Sequence, residues 1–132
     1  MSRPRKQPGR RAARRTALFL LYQWDLTGKA LDEQAGDEPV DPFARELADA
    51  VVARSAELDR RIDEVSEGWP ADRLGVLERN ILRIGISELE GATVPPEVAI
   101  AEAVGLAKRY ASPEAARLVN GILGRVAAEA AA

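Results

Sequence analysis

The 132-residue chain contains no cysteine and no histidine. The first absence excludes disulfides and thiolate metal sites. The second removes the usual general base and the commonest metal ligand, so most catalytic triads and zinc centres are closed off. Aromatic residues are scarce at 5%, which leaves an aliphatic core. No apolar run approaches the roughly 18 residues needed to span a bilayer. The basic N-terminus is not followed by an uninterrupted apolar stretch, because Leu18 to Trp24 is broken by Gln23 and runs into Asp25; a secretory signal is not expected. Neither glycine-rich phosphate-loop pattern occurs. What remains is a balance of 46% hydrophobic and 30% charged residues, that of a soluble globular domain. For catalysis only carboxylates, lysine and hydroxyls remain; the expectation is a cytoplasmic protein that is not an enzyme, with no cofactor, no metal site and no membrane segment.

Acidic residues are also missing from one place. Residues 1–15 carry Arg3, Arg5, Lys6, Arg10, Arg11, Arg14 and Arg15 and no acid, a charge of +7, while the rest holds twelve bases against twenty-one acids, giving −9. A polyanion would meet the basic end first.

Periodicity predicts an all-α fold with six to seven helices. Residues 1–9, with Pro4, Pro8 and Gly9 among basic side chains, are expected to form a disordered arm. From Arg10, the residues Ala13, Ala17, Leu20, Leu21 and Trp24 share one side of a helical wheel, and Gly28 ends that helix. Residues 29–42 suit a loop with at most a short helix. Asp41-Pro42 is a start signal, and Phe43 to Glu67 reads as one bent helix or two. Gly68-Trp69-Pro70 is punctuation, and Asp72 to Glu90 is expected to be the central, most buried helix. Gly85 within it costs about 1 kcal/mol against alanine, which predicts a close helix crossing. Gly91 is a stop, Val94-Pro95-Pro96 and Ser112-Pro113-Glu114 are starts, and Asn120-Gly121 stays helical because no alternating strand flanks it. One domain over residues 10–129 is predicted, with 130–132 as a frayed tail.

Arg10, Arg11, Arg14 and Arg15 are the first functional candidates. On the wheel Arg11 and Arg15 lie on the flank of Tyr22, with Phe19 beside them, while Arg10 and Arg14 border the apolar arc. Guanidinium groups neutralise phosphates, and adjacent rings offer platforms to unstacked bases, a mixture suited to single-stranded RNA. A solvated basic helix end is the competing reading. Arg79 and Arg83, four apart, place like charges on one face; a polar stripe on a buried helix would also explain them. Tyr110, Arg117 and Asn120 could extend an RNA track or serve packing and capping equally well. The acid pairs Asp32/Glu33, Asp37/Glu38 and Asp63/Glu64 lack metal-loop spacing and read as solvated.

Arg10-Arg11-Ala12-Ala13-Arg14 running into Ala17, Leu21, Tyr22 and Trp24 resembles the start of the NusB family of bacterial antitermination factors. The likeness continues through Leu82 to Leu89, Val94 to Val104 and Ala107 to Tyr110, and ends in Arg117-Leu118-Val119-Asn120-Gly121-Ile122-Leu123. The resemblance implies two packed three-helix units. It implies binding of boxA-type single-stranded RNA of ribosomal RNA leaders together with the ribosomal protein NusE, within the antitermination complex on RNA polymerase. By position it assigns RNA contact to Arg10, Arg11, Arg14 and Tyr22, and Tyr110, Arg117 and Leu118 to the far side of that surface. Arg15 joins them from the wheel. Glu78 matches an acid where RNA and NusE approach each other, and Arg79 and Arg83 are grouped with it for partner binding. Ala12 stands where some members carry arginine, and Leu118 where some carry phenylalanine, so weaker RNA affinity without NusE is expected. Some members form homodimers that cover the RNA surface. Two rivals are an RNA-binding module of a ribosomal RNA methyltransferase, which needs a following domain with a catalytic cysteine, and a protein-interaction scaffold.

Overall fold

The computed structural model describes residues 9–35, 39–66, 68 and 70–131. The arm expected at residues 1–9 lies outside them except for Gly9, as do Asp37, Glu38, Trp69 and Ala132. The described residues form seven α-helices: α1 Gly9–Thr27, α2 Leu31–Ala35, α3 Pro42–Ala53, α4 Ser55–Val65, α5 Val76–Gly91, α6 Pro96–Tyr110 and α7 Pro113–Ala131. No strand occurs among them.

Local chemistry accounts for the ends. Asp41 Oδ1 accepts the Phe43 N–H at 2.8 Å and Pro42 opens α3; Ser112 Oγ accepts the Ala115 N–H at 3.0 Å ahead of α7. Both caps satisfy an otherwise orphaned donor of the first turn. Gly28, with φ +74°, closes α1. Of the two alternatives allowed over 43–67, two helices form, because Arg54 at φ −117° and ψ 17° breaks the path between α3 and α4. The predicted helix from Asp72 starts late: Ala71–Arg73 is one 3-10 turn, Leu74 and Gly75 are extended, and α5 begins at Val76. The stop after α5 is also displaced, since the left-handed residue is Ala92 at φ 52° and not Gly91. An L-residue there costs about 1–2 kcal/mol. The C-terminal helix continues to Ala131, beyond the point where the alanine run suggests fraying.

Burial makes α5 the centre, as its pattern predicts. It packs against α1, α3, α4, α6 and α7, and every residue from Asn80 to Ile86 is buried. α1 and α3 form one packed group with the short α2 against α1; α6 and α7 form the other against α5, and α4 lies on both α5 and α7. Leu18, Leu58, Ile62, Ile81, Ile86 and Leu123 belong to one continuous core. On α1, Leu18 is fully buried although the wheel left it outside the arc, while Leu20 and Trp24 are only partly buried.

Gly85 sits at the α5–α7 crossing. A Cβ added there would fall 2.6 Å from Leu123 Cδ1, well inside van der Waals contact. Gly85→Ala is therefore expected to destabilise the protein by about 1–3 kcal/mol in urea unfolding, against the gain of about 1 kcal/mol that alanine brings to a helix. In a Leu123→Ala background the same substitution should become neutral or stabilising. Equal effects in the two backgrounds would show that the crossing does not require glycine.

Candidate nucleic-acid interface

The arginines of α1 divide by the face on which they fall. Arg14 lies on the inner face and is 3% exposed. Its Nε and Nη2 donate to the two carboxylate oxygens of Glu88, each at 2.8 Å, a two-pronged geometry that only arginine provides. The Glu88 hydrogen bond, with the charges of Glu88 and Glu102, outweighs burial and raises the Arg14 pKa above its ordinary value. Arg14 is thus a buried tie between α1 and α5 rather than a surface contact for RNA, which corrects the sequence expectation. Arg10, one turn earlier, has its guanidinium 4.3 Å from the Phe43 ring centroid on α3.

Arg11 and Arg15 point outward, as the wheel predicts. The Arg11 side chain is 84% exposed and its Nε lies 3.2 Å from a Glu102 carboxylate oxygen on α6. Arg11, Arg14, Arg15, Lys108, Arg109 and Tyr110 line a cavity of about 490 Å³ between α1 and α6, with Glu102 the one acid in its wall. Phe19 packs edge-on to Tyr110 at 5.2 Å between centroids, and the Arg109 guanidinium lies 5.7 Å from the Tyr110 ring. Phe19 and Tyr22 are exposed on the same flank of α1. Cations and ring faces therefore share one surface, the arrangement that holds phosphates and stacks bases. Lys108, Arg109 and Phe19 were missing from the predicted site residues. Lys108 and Arg109 fall within the sequence block that carries the resemblance, and the helical wheel sets Phe19 beside Arg11 and Arg15.

Lys108 also lines a second cavity of about 490 Å³, with Arg117 and Asn120 of α7. That brings Arg117 onto the flank of the same surface, where it pairs with Glu114 at 3.7 Å. Leu118 turns away from this cavity and lines, with Glu78, Arg73 and Ser112, a recess of about 350 Å³. Glu78 and Leu118, forty residues apart in sequence, are thus neighbours.

Arg79 and Arg83 are not available to a partner as expected. Arg79 Nε donates to Asp25 at 3.0 Å and its Nη1 donates to the carbonyls of Ala71 and Leu74. Arg83 donates to Asp59 at 2.8 and 2.7 Å, to Asp25 at 3.0 Å and to Asn80 Oδ1 at 2.9 Å. The like charges stay together because they share Asp25. Burial alone would push the Asp25 carboxyl up, but hydrogen bonds from Arg79 and Asn80 and the charges of Arg83 and Arg79 together hold it below its ordinary value.

Folding lowers the Asp25 pKa, so the folded protein binds fewer protons than the unfolded chain in acid. The network's contribution is full above the ordinary aspartate range near ~4 and is lost as pH falls through the lower folded value. In thermal melts Asp25→Asn should lower Tm at neutral pH and flatten the fall of Tm below about pH 4. Parallel Tm curves for the two proteins across that range would place the acid sensitivity elsewhere.

Residues 11–128 match the NusB family. The transcription antitermination protein NusB of Acidothermus cellulolyticus is 40% identical over 131 residues, covering 94% of this chain and 90% of its own length. That of Desulfitobacterium hafniense is 38% identical over 128 residues, covering 89% and 86%. Among solved structures, NusB of T. maritima superposes with a TM-score of 0.81 at 33% identity, covering 98% of this chain and 94% of that one. A structure of the antitermination factors NusB and NusE in complex with dsRNA gives 0.79 at 32% identity, covering 93% and 98%. The seven-helix fold, the match over nearly the whole chain and these relatives agree: this chain belongs to the NusB family.

Proposed function

We propose that this chain is an RNA-binding antitermination factor that holds boxA-type single-stranded RNA of ribosomal RNA leaders together with NusE, so that RNA polymerase in the antitermination complex resists termination. The observation that carries this reading is the surface on which Arg11, Arg15, Lys108 and Arg109 line one cavity with Tyr110, whose ring packs edge-on to the exposed Phe19. The cations neutralise successive phosphates, and Tyr22, Phe19 and Tyr110 offer faces to bases splayed from a single strand. Arg10 flanks the surface at the Phe43 ring, and Arg117 with Asn120 extends it along α7. The recess between Glu78 and Leu118 is where NusE would meet the RNA; its lining offers no ring for a base, so NusE supplies part of the affinity. The relative solved with NusE and dsRNA shares the fold closely, which supports both partners. The role is binding without catalysis, in the cytoplasm, and a homodimer that covers the RNA surface would hold the protein inactive. No helix among the described residues is long and apolar enough to cross a membrane.

Fluorescence titration with and without NusE tests the reading. The protein with NusE should bind a boxA RNA more tightly than a scrambled RNA, with affinity falling as salt rises. Arg15→Ala combined with Lys108→Ala should weaken binding about tenfold or more and reduce the salt slope by about 1.4, two phosphates' worth for a single strand, without lowering Tm. Equal binding of both RNAs at every salt concentration would remove the specific reading.

A further inference from the structure

The geometry points to Glu102 as an internal competitor for RNA: its carboxylate holds the Arg11 guanidinium in the free protein, and an RNA phosphate must displace it. This rests on the RNA-binding reading and adds to it a residue that sets the affinity.

Glu102 is the one acid in the wall of a cavity lined by five basic side chains. Arg14 gives its hydrogen bonds to both oxygens of Glu88 and meets Glu102 through charge alone, at 4.0 Å. Glu102 instead faces Arg11. Arg11 Nε lies 3.4 and 3.2 Å from its two oxygens and Nη2 lies 3.3 Å from one of them. The pair is lopsided in exposure, 84% for the Arg11 side chain and 19% for Glu102. An ion pair with so exposed a partner contributes little to stability. Its effect on an incoming anion is larger, since Glu102 is mostly buried on α6 while the Arg11 side chain stands open to a ligand. The carboxylate occupies the Nε and Nη2 edge of the guanidinium, the edge a phosphate would take. Arg11, Arg14, Glu88 and Glu102 together carry no net charge, so attraction at this cavity comes from Arg15, Lys108 and Arg109 until Arg11 is released. Arg11 then becomes an additional phosphate contact.

The test is titration of wild type and Glu102→Gln with a single-stranded boxA-type RNA and, separately, with inorganic polyphosphate. The glutamine variant should bind both ligands roughly three- to tenfold tighter at low salt, with an RNA salt slope steeper by about 0.7. The gain should shrink in an Arg11→Ala background. Glu102→Asp, which keeps the charge and draws it back from Arg11, should give a smaller gain of the same sign, so the test survives if the glutamine variant fails to fold. Unchanged affinity and slope would overturn the inference, as would an equal gain with and without Arg11. Weaker binding of both ligands would overturn it too, making Glu102 a residue that orients Arg11. If wild type binds polyphosphate but not RNA, the RNA reading fails while the polyphosphate comparison still decides the role of Glu102.

Discussion

The buried contact between Arg14 on α1 and Glu88 on α5 is the constraint on which the rest depends. A guanidinium and a carboxylate removed from water are tolerated only when each satisfies the other, and removing one partner typically costs about 3–5 kcal/mol. A second tie lies eleven residues further along α1, about 16 Å by helical rise, where Asp25 accepts from Arg79, Asn80 and Arg83. Early α1 thus meets late α5, and late α1 meets early α5. The two ties fix the antiparallel register and the rotation of α1 about its own axis. Core packing through Ala13, Ala17, Leu18 and Leu21 turns the apolar side of α1 inward, and the directional ion pairs at its two ends add the register.

That fixed rotation separates residues of one chemical type into two roles. Arg14 faces inward and is neutralised, while Arg11 and Arg15 face outward beside Phe19. The outer face is completed from α6, which the α5–α6 and α6–α7 packing holds alongside, so that Lys108, Arg109 and Tyr110 arrive at the same surface. The +7 charge of the first fifteen residues therefore overstates what an RNA meets there: Arg14 is withdrawn and Arg11 is shared with Glu102.

Much of this was legible in the sequence. Asp41-Pro42 and Ser112-Pro113 marked their helices correctly because capping is decided by the residues themselves. The apolar pattern of α5 identified the central helix, and Gly85 its crossing. The displaced start of α5 was not legible: Leu74 keeps the apolar spacing and is buried, but Arg79 takes the carbonyls of Ala71 and Leu74, a tertiary contact that local pattern does not contain. The buried arginines were misassigned for the same reason. A signal did exist, since Glu88 lies four residues after Ile84 and seven after Ile81, on the apolar face of α5. An acid there demands a buried cation, and Asp25, four after Leu21 on the apolar face of α1, makes the same demand. Exposure of Arg11 and Arg15 followed from the wheel, but their meeting with α6 required the fold.

The division of α1 into a structural inner face and an RNA-facing outer one is tested most directly by replacing the buried pair together, Arg14→Met with Glu88→Leu, and measuring RNA affinity across salt. Apolar replacement of a buried ion pair is often tolerated, whereas Arg14→Ala alone should destabilise the fold. The double variant is expected to stay folded and to bind boxA-type RNA with the affinity and salt slope of wild type. A folded double variant whose slope falls by about 0.7, the share of one phosphate on a single strand, would contradict this division and return Arg14 to the RNA surface.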